Sequence, residues 1–178
     1  MDIDWDDLQA AFLSTRTDRE FYLDRESGEV VSISEAENDE AGEDEEEDEG
    51  EDGHEEEGDE ESLRDEIESD PDRFVMVSPV PLSDLVEWMN AFIQTVKETD
   101  LSAPLIKAAN GHHPDREFDR ALRKNPTERL RWVGFLETQA QEIIDGWVEE
   151  NDLESDTPAP WKVKAVRRRP PKKTADSE

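Results

Sequence analysis

The chain has 178 residues, of which 33% are hydrophobic and 40% are charged, and its formal net charge is −31. It contains no cysteine, which excludes disulfides and thiolate metal sites. No apolar run approaches the ~18 residues that a membrane span requires, and the acidic N-terminus does not resemble a signal peptide. We therefore expect a cytoplasmic protein without a membrane partner.

The negative charge is concentrated in residues 35–72, which contain 24 acidic residues and one basic residue. Such a segment cannot bury enough apolar surface to offset the entropy lost on ordering, so we predict a disordered acidic insertion. Within it, residues 62–69 could form a turn of helix through Leu63 and Ile67. Residues 154–178 are predicted to form a disordered tail that contains proline and is basic toward its end. Residues 1–34 and 73–153 remain, and their combined length is typical of a single domain.

A short helix and three strands are predicted on the two sides of the insertion. Residues 4–14 carry apolar side chains at helical spacing. Residues 21–23 and 30–33 are apolar runs typical of strands, and Gly28 between them can adopt the positive φ that closes a hairpin. A lone hairpin is marginally stable, so residues 74–77 are predicted to complete a three-stranded antiparallel sheet.

The remaining pattern is helical. Ser83 is predicted to cap an amphipathic helix over residues 83–96, whose apolar side includes Trp88. The last helix of the domain is predicted to carry Trp147 on its apolar side. After the helix over residues 83–96, three more helices are predicted, over residues 102–109, 114–124 and 126–151. The helix with Trp147 is the last of these. The sequence therefore predicts an α+β fold, in which four to five helices cover a small antiparallel sheet.

Three blocks of sequence resemble the uncharacterised protein family 0158, a group of small bacterial proteins without an assigned activity. These blocks lie at residues 21–30, 73–93 and 105–132. The resemblance covers residues 5–34 and 73–150, and it implies a family but no chemistry. After Gly111 the chain has His112, where the family pattern has an aromatic residue. The acidic insertion and the basic tail also look peculiar to this member.

No catalytic constellation is recognisable in the sequence. There is no Gly-x-Ser-x-Gly, His-Glu-x-x-His or phosphate-binding loop motif. His112 and His113 are adjacent and could share a metal, but a stable site needs more ligands, and the third histidine, His54, lies in the acidic segment. We interpret the two histidines as a solvated loop and name no catalytic residue, metal ligand or cofactor.

Two clusters of basic residues reverse the charge locally. A helical stripe contains Arg116, Arg120, Arg123, Lys124, Arg129 and Arg131. In the tail, a tryptophan precedes three arginines, namely Trp161 with Arg167, Arg168 and Arg169. Both clusters could bind phosphates or an acidic partner, or they could be solvated surface balanced by nearby carboxylates. Trp161 could stack on a nucleic-acid base or attach the tail to the domain.

Two functions are compatible with these features. The first is a non-enzymatic interaction or adaptor protein with an unidentified protein partner. The second is a nucleic-acid-associated protein that uses the basic stripe and tail, which the acidic segment would shield at low salt. Binding that weakens steeply with salt would distinguish the second from the first. An enzyme is the third interpretation.

Overall fold

The computed structural model describes residues 1–34 and 56–166. In these ranges, three strands are present, namely β1 Arg19–Asp24, β2 Val30–Ser34 and β3 Phe74–Val77. Seven helices are present, namely α1 Trp5–Phe12, α2 Glu56–Ser69, α3 Leu82–Ile93, α4 Thr99–Ala109, α5 Pro114–Leu122, α6 Pro126–Glu150 and α7 Pro160–Val166. The α+β class is confirmed, and the described helices outnumber the four to five that were predicted.

The sheet has the strand order β2-β1-β3, and both pairs are antiparallel, as predicted. Gly28 closes the β1-β2 hairpin with a φ of 83°. A Cβ at Gly28 would collide with the backbone carbonyl of Asp2, so a larger residue cannot replace it without a shift. The carbonyl of Gly28 accepts a hydrogen bond from the amide of Asp4 at 2.9 Å. The hairpin tip is therefore fixed to the N-terminal segment.

Two groups of buried residues form the interior. The sheet core consists of Ile3, Trp5, Leu8, Ala11, Phe12, Leu23, Val77, Ala140, Ile144, Leu153 and Ala159. The helical core consists of Met89, Phe92, Ile93, Leu105, Ala108, Ala109, Phe118, Leu122 and Trp132. α6 contributes to both cores, because its 25 residues extend over about 37 Å at the usual helical rise. Asn125 caps this helix by accepting from the amide of Glu128 at 3.3 Å.

The two tryptophans predicted on apolar helix faces are only half-buried. Trp88 packs against the edge of the helical core, and Trp147 packs against the edge of the sheet core. The ring of Trp147 meets Phe12 edge to face at a centroid distance of 5.5 Å. The fully enclosed aromatic residues are instead Phe92 and Phe118.

Two predicted helix starts differ from the structure. α3 begins at Leu82 because Pro81 already has the extended conformation of a capping residue, with φ −57° and ψ 146°. Ser83 therefore lies inside the first turn, where its hydroxyl donates to the Asp84 carboxylate at 3.0 Å. α4 begins before Ser102, because the extended Glu98 precedes its first turn.

The disorder predicted for residues 35–72 is wrong for their second half, where α2 forms. The Glu60 carboxylate accepts from the Ser34 hydroxyl at 2.8 Å, and the Arg64 guanidinium donates to the Ser34 carbonyl. Leu63 and Ile67, one turn apart in α2, are half-buried. These partners lie on the distant strand β2, so the local composition did not reveal them. Residues 35–55 of the predicted insertion lie outside the described residues.

The disorder predicted for the tail is also wrong as far as residue 166. Ala159 is buried in the sheet core, and Trp161 meets Trp5 edge to face at 5.5 Å. The indole of Trp5 donates to the carbonyl of Thr157 at 3.0 Å. The beginning of the tail is thus attached to the domain through its tryptophan, which was one of the two predicted roles of Trp161.

Candidate anion-binding cleft

The basic stripe predicted from the sequence is divided by ion pairs. The Nε atoms of Arg123 and Arg129 both donate to the Asp119 carboxylate, at 3.3 and 3.0 Å. All three side chains are at least partly exposed, so these pairs contribute little to stability. They nevertheless balance two of the positive charges within the protein.

Arg131 has a structural role at the surface of the helical core. Its Nη1 donates to the carboxylate of Glu128 at 2.7 Å, and its Nη2 donates to the Thr95 hydroxyl at 3.0 Å. Its guanidinium lies 5.5 Å from the ring centroid of Phe92. Glu128 is only 8% exposed and depends on this arginine for compensation of its charge.

The other three basic side chains of the predicted stripe are not held by carboxylates of the described residues. Arg116, Arg120 and Lys124 are exposed and form no salt bridge with any residue that the structure describes. Arg116 and Arg120 line neighbouring cavities beside α5. Trp161 is half-buried, and its indole donates to Asp145 at 3.2 Å. The remaining predicted site residues, Arg167, Arg168 and Arg169, lie outside the described residues.

A cavity of about 640 Å³ lies where three segments meet. These segments are residues 14–19 after α1, residues 79–85 around the start of α3, and residues 113–116 at the start of α5. We call this cavity the arginine cleft, because it is lined by Arg16, Arg19 and Arg116. The cleft is preformed, since the amide of Val80 donates to the carbonyl of Phe12 at 2.8 Å and fixes one wall to the end of α1.

Arg16 and Arg19 differ in their exposure and in their polar partners. Arg16 forms an exposed bidentate pair with Asp18, and this pair lowers the pKa of the Asp18 carboxyl. Arg19 is more enclosed: its Nη1 donates to the Ser32 hydroxyl at 3.1 Å, and its Nη2 lies 3.6 Å from Glu60. Its Nε is buried and has no hydrogen-bond partner among the described residues.

Two helices begin at the arginine cleft. α3 begins there through Leu82, and α5 begins there through Asp115 and Arg116. Neither N-cap residue, Pro81 or His113, makes a side-chain capping hydrogen bond, but the Glu117 carboxylate accepts from the backbone amide of His113 at 3.5 Å. Both starts carry free amides and the positive end of a helix dipole, which favour an anion. Three first-turn carboxylates reduce this positive potential, namely Asp84 in α3 and Asp115 and Glu117 in α5.

Two smaller cavities adjoin the arginine cleft. One, of about 400 Å³, shares Arg16 and Arg19 with it and extends along β1 and β2. The other, of about 370 Å³, shares His113 and Arg116 and extends between α4 and α5 to Lys107. Cationic side chains thus recur along all three cavities.

Sequence reasoning missed three residues of the cleft, namely Arg16, Arg19 and His113. Residues 14–19 have the composition of a polar link, and His113 was interpreted as part of a solvated loop. The two segments are almost a hundred residues apart, and no periodic signal connects them. The prolines at positions 79 and 81, which rigidify the third segment, were the only local signal of a fixed wall.

None of the helices that the structure describes is long and apolar enough to cross a membrane. In the same ranges, no group of three histidine, aspartate or glutamate side chains is arranged to hold a metal ion.

Comparisons with known proteins agree with the resemblance indicated by the sequence blocks. A curated relative, the UPF0158 protein PA5073 of Pseudomonas aeruginosa, is 26% identical over 155 residues, which are 86% of each chain. No solved structure is significantly similar to the chain. The model of the uncharacterised protein family (UPF0158) matches residues 1–159, which include both cores and the arginine cleft. The chain belongs to this uncharacterised protein family.

Proposed function

We propose that this protein is a non-enzymatic interaction protein, which binds an anionic segment of a partner protein in the arginine cleft. One observation carries the proposal: three arginines and the starts of two helices line a single cavity in a chain with a net charge of −31. Arg116 forms no salt bridge within the described residues, whereas Arg16 pairs with Asp18 and Arg19 lies 3.6 Å from Glu60. Guanidinium groups bind carboxylates and phosphates in a bidentate manner, and free amides at a helix start add further donors. A cytoplasmic location, predicted from the sequence, is part of this proposal.

The proposal assigns no catalytic role to the hydroxyl groups of the cleft. Ser14 Oγ accepts a hydrogen bond from the backbone amide of Arg16 at 3.3 Å, which stabilises the turn after α1. A nucleophilic hydroxyl would need a neighbouring base within hydrogen-bonding reach. The hydrogen bond therefore gives Ser14 a structural role in this turn.

Nucleic-acid binding, the alternative predicted from the sequence, receives less support. It used six basic side chains on one helical stripe together with the tail, and of the stripe Arg123, Arg129 and Arg131 are paired with carboxylates, as Arg16 and Arg19 of the cleft are. It also used Trp161 as a stacking platform, whereas that ring packs against Trp5. Within the described residues this alternative depends on Arg116, Arg120 and Lys124, and the tail arginines on which it also relied, Arg167, Arg168 and Arg169, lie outside them.

The proposal is tested with two double variants of equal charge. Arg16→Ala with Arg116→Ala removes two arginines of the cleft, and Arg123→Ala with Arg129→Ala removes two arginines outside it. Binding of a fluorescent glutamate-rich peptide is measured by anisotropy at physiological salt, where repulsion from distant carboxylates is largely screened. We expect the cleft variant to lose about tenfold or more in affinity and the control to stay within about twofold.

Two outcomes would contradict the proposal. The first is that the wild-type chain does not bind the peptide. The second is that both double variants lose the same affinity, which would indicate a dependence on net charge alone. Circular dichroism of both variants checks that the fold is intact.

A further inference from the structure

We infer that the ligand of the arginine cleft is an extended acidic peptide in which carboxylate side chains flank an aliphatic residue. This inference rests on the proposed function, because it specifies the ligand of the same cleft. The aliphatic residue would contact the apolar wall formed by Pro79, Val80, Pro81, Leu82 and Leu85, which we call the proline wall.

The proline wall exposes apolar surface inside a cleft that is otherwise polar. Leu82 is 50% exposed although it stands in the first turn of a helix that packs on the helical core. Leu85 lies one turn later and is half-buried. Apolar surface enclosed by charged residues is typical of a site that binds a peptide side chain. A simple anion site has no use for such a wall.

The backbone of the proline wall offers few hydrogen-bond donors. Pro79 and Pro81 have no amide hydrogen, and the amide of Val80 already donates to Phe12 at 2.8 Å. A peptide could not pair with these three residues as an added strand through their amides. The wall therefore favours contact with an apolar side chain, while the arginines opposite bind the flanking carboxylates.

The dimensions of the site favour an extended ligand. The arginine cleft encloses about 640 Å³, and cavities of about 400 and 370 Å³ continue it on both sides. A cavity of this size accommodates a ligand much larger than one phosphate or acetate ion. Cationic residues line both continuations, so carboxylates on either side of a central aliphatic residue would meet an arginine.

The lining does not suit a nucleic acid. Phe21 is the only aromatic ring besides the His113 imidazole among the residues that line these three cavities, and it stands in the cavity along β1 and β2. Single-stranded nucleic acids are commonly bound by aromatic rings on which successive bases stack. Aliphatic and prolyl side chains do not provide this interaction, so an acidic peptide is the better match.

The test uses the full chain and two fluorescent glutamate-rich peptides of equal length and charge. One peptide has a central leucine, and the other has serine at the same position. We expect the leucine peptide to bind wild type about tenfold more tightly, because its side chain is buried against the proline wall. Inorganic phosphate and oligothymidylate are included as competitors and are expected to displace neither peptide efficiently.

Leu82→Ser is the variant that tests the wall, and Leu130→Ser is its matched control. Leu130 is 75% exposed on α6 and does not line the arginine cleft. We expect Leu82→Ser to abolish the preference for the leucine peptide and Leu130→Ser to leave it unchanged. The serine peptide should bind wild type and Leu130→Ser within about twofold of each other.

Each outcome separates the inference from the proposed function. If wild type binds both peptides equally, the inference is wrong while anion binding in the cleft stands. If neither peptide binds, the proposed function fails and the inference fails with it. If oligothymidylate displaces the peptides more efficiently than unlabelled leucine peptide does, the site is a nucleic-acid site. The comparison on wild type needs no variant, so it remains decisive even if Leu82→Ser does not fold.

Discussion

The sheet core and the helical core are assembled in opposite ways. The helical core draws all its buried members from residues 89–132, so its contacts are between neighbouring segments of the chain. The sheet core joins Ile3 to Ala159, and the amide of Ile3 donates to the Ser155 hydroxyl across 152 positions. Local contacts require little loop closure, whereas the sheet core must bring both ends of the domain together.

This difference explains where the candidate site lies. Residues 14–19 follow a helix of the sheet core, and residues 113–116 begin a helix of the helical core. α6 packs in both cores and fixes their relative position. The arginine cleft therefore forms at the boundary between the cores, a common position for binding sites. The experiments below change one core, or one side of this boundary, at a time.

The largest effect is expected from Phe92→Ala in the helical core. Phe92 is 1% exposed, and its ring lies 5.2 Å from Trp132 and 6.4 Å from Phe118. Its removal leaves a cavity among aromatic rings, which should lower the free energy of unfolding by about 3–5 kcal/mol. Urea denaturation followed by circular dichroism measures this change, and a loss below about 1 kcal/mol would show that the core collapses onto the cavity.

Leu8→Ala makes the corresponding change in the sheet core. Leu8 is fully buried, and we expect a loss of about 2–5 kcal/mol. Hydrogen exchange of the β1 and α5 amides should show whether the two cores open together. Equal loss of protection in both elements would mean that α6 makes the molecule one cooperative unit. Loss confined to β1 would mean that the helical core remains folded by itself.

Asp24→Asn removes one half of a buried ion pair at the sheet. Arg73 donates to both oxygens of Asp24, at 2.9 and 2.6 Å, and this holds the pKa of the Asp24 carboxyl far below its usual value. The substitution should destabilise the protein by about 1.5–3 kcal/mol at neutral pH. Because the folded-state pKa is lowered, the contribution is complete above the ordinary aspartate pKa and decreases as the pH falls below about 4.

The pH dependence of this pair is measured by comparing urea midpoints of wild type and Asp24→Asn at decreasing pH. The difference between them should narrow below about pH 4. Asp18→Asn is the matched control, because its pair with Arg16 is exposed and should contribute less than about 1 kcal/mol. A constant difference between wild type and Asp24→Asn at every pH would contradict the assigned role of the ionised carboxylate.

Arg131→Ala and Arg116→Ala separate the structural arginine from the one in the cleft. Arg131→Ala leaves the buried carboxylate of Glu128 without its partner and should cost about 1–2 kcal/mol. Arg116→Ala removes an exposed side chain without a salt bridge in the described ranges, and stability should change by less than about 0.5 kcal/mol. Thermal unfolding of both variants measures the contrast. Equal losses would mean that Arg116 also supports the fold.

The smallest effect is expected when a short glycine-serine linker replaces residues 35–55, which carry fourteen carboxylates. Removing this charge should leave the unfolding midpoint unchanged, or raise it at low salt, because self-repulsion decreases. Extending the deletion to residue 69 removes α2 as well. The longer deletion should destabilise the sheet, because Ile33 is 2% exposed and α2 lies against its strand. If the shorter deletion lowered the unfolding midpoint by a large amount, residues 35–55 would contribute to stability, and the prediction that only α2 does so would be wrong.

The sequence by itself determined the elements whose signals are local. Short apolar runs predicted the three strands, and apolar residues at helical spacing predicted α1 and the helices of the helical core. Gly28 marked the hairpin because a positive φ is specific to few residues. The family could be identified from these same blocks. The residue types also showed that the chain has no recognisable catalytic motif.

Only the tertiary structure decided which charges and aromatic rings have partners. Arg116 and Arg131 look alike in the sequence, but one lines a cavity and the other compensates a buried carboxylate. Trp161 looks like part of a disordered tail until Trp5, 156 positions earlier, is placed beside it. The arginine cleft likewise depends on segments distant in the chain. Pairing of this kind is a property of the assembled cores, so no local period in the sequence encodes it.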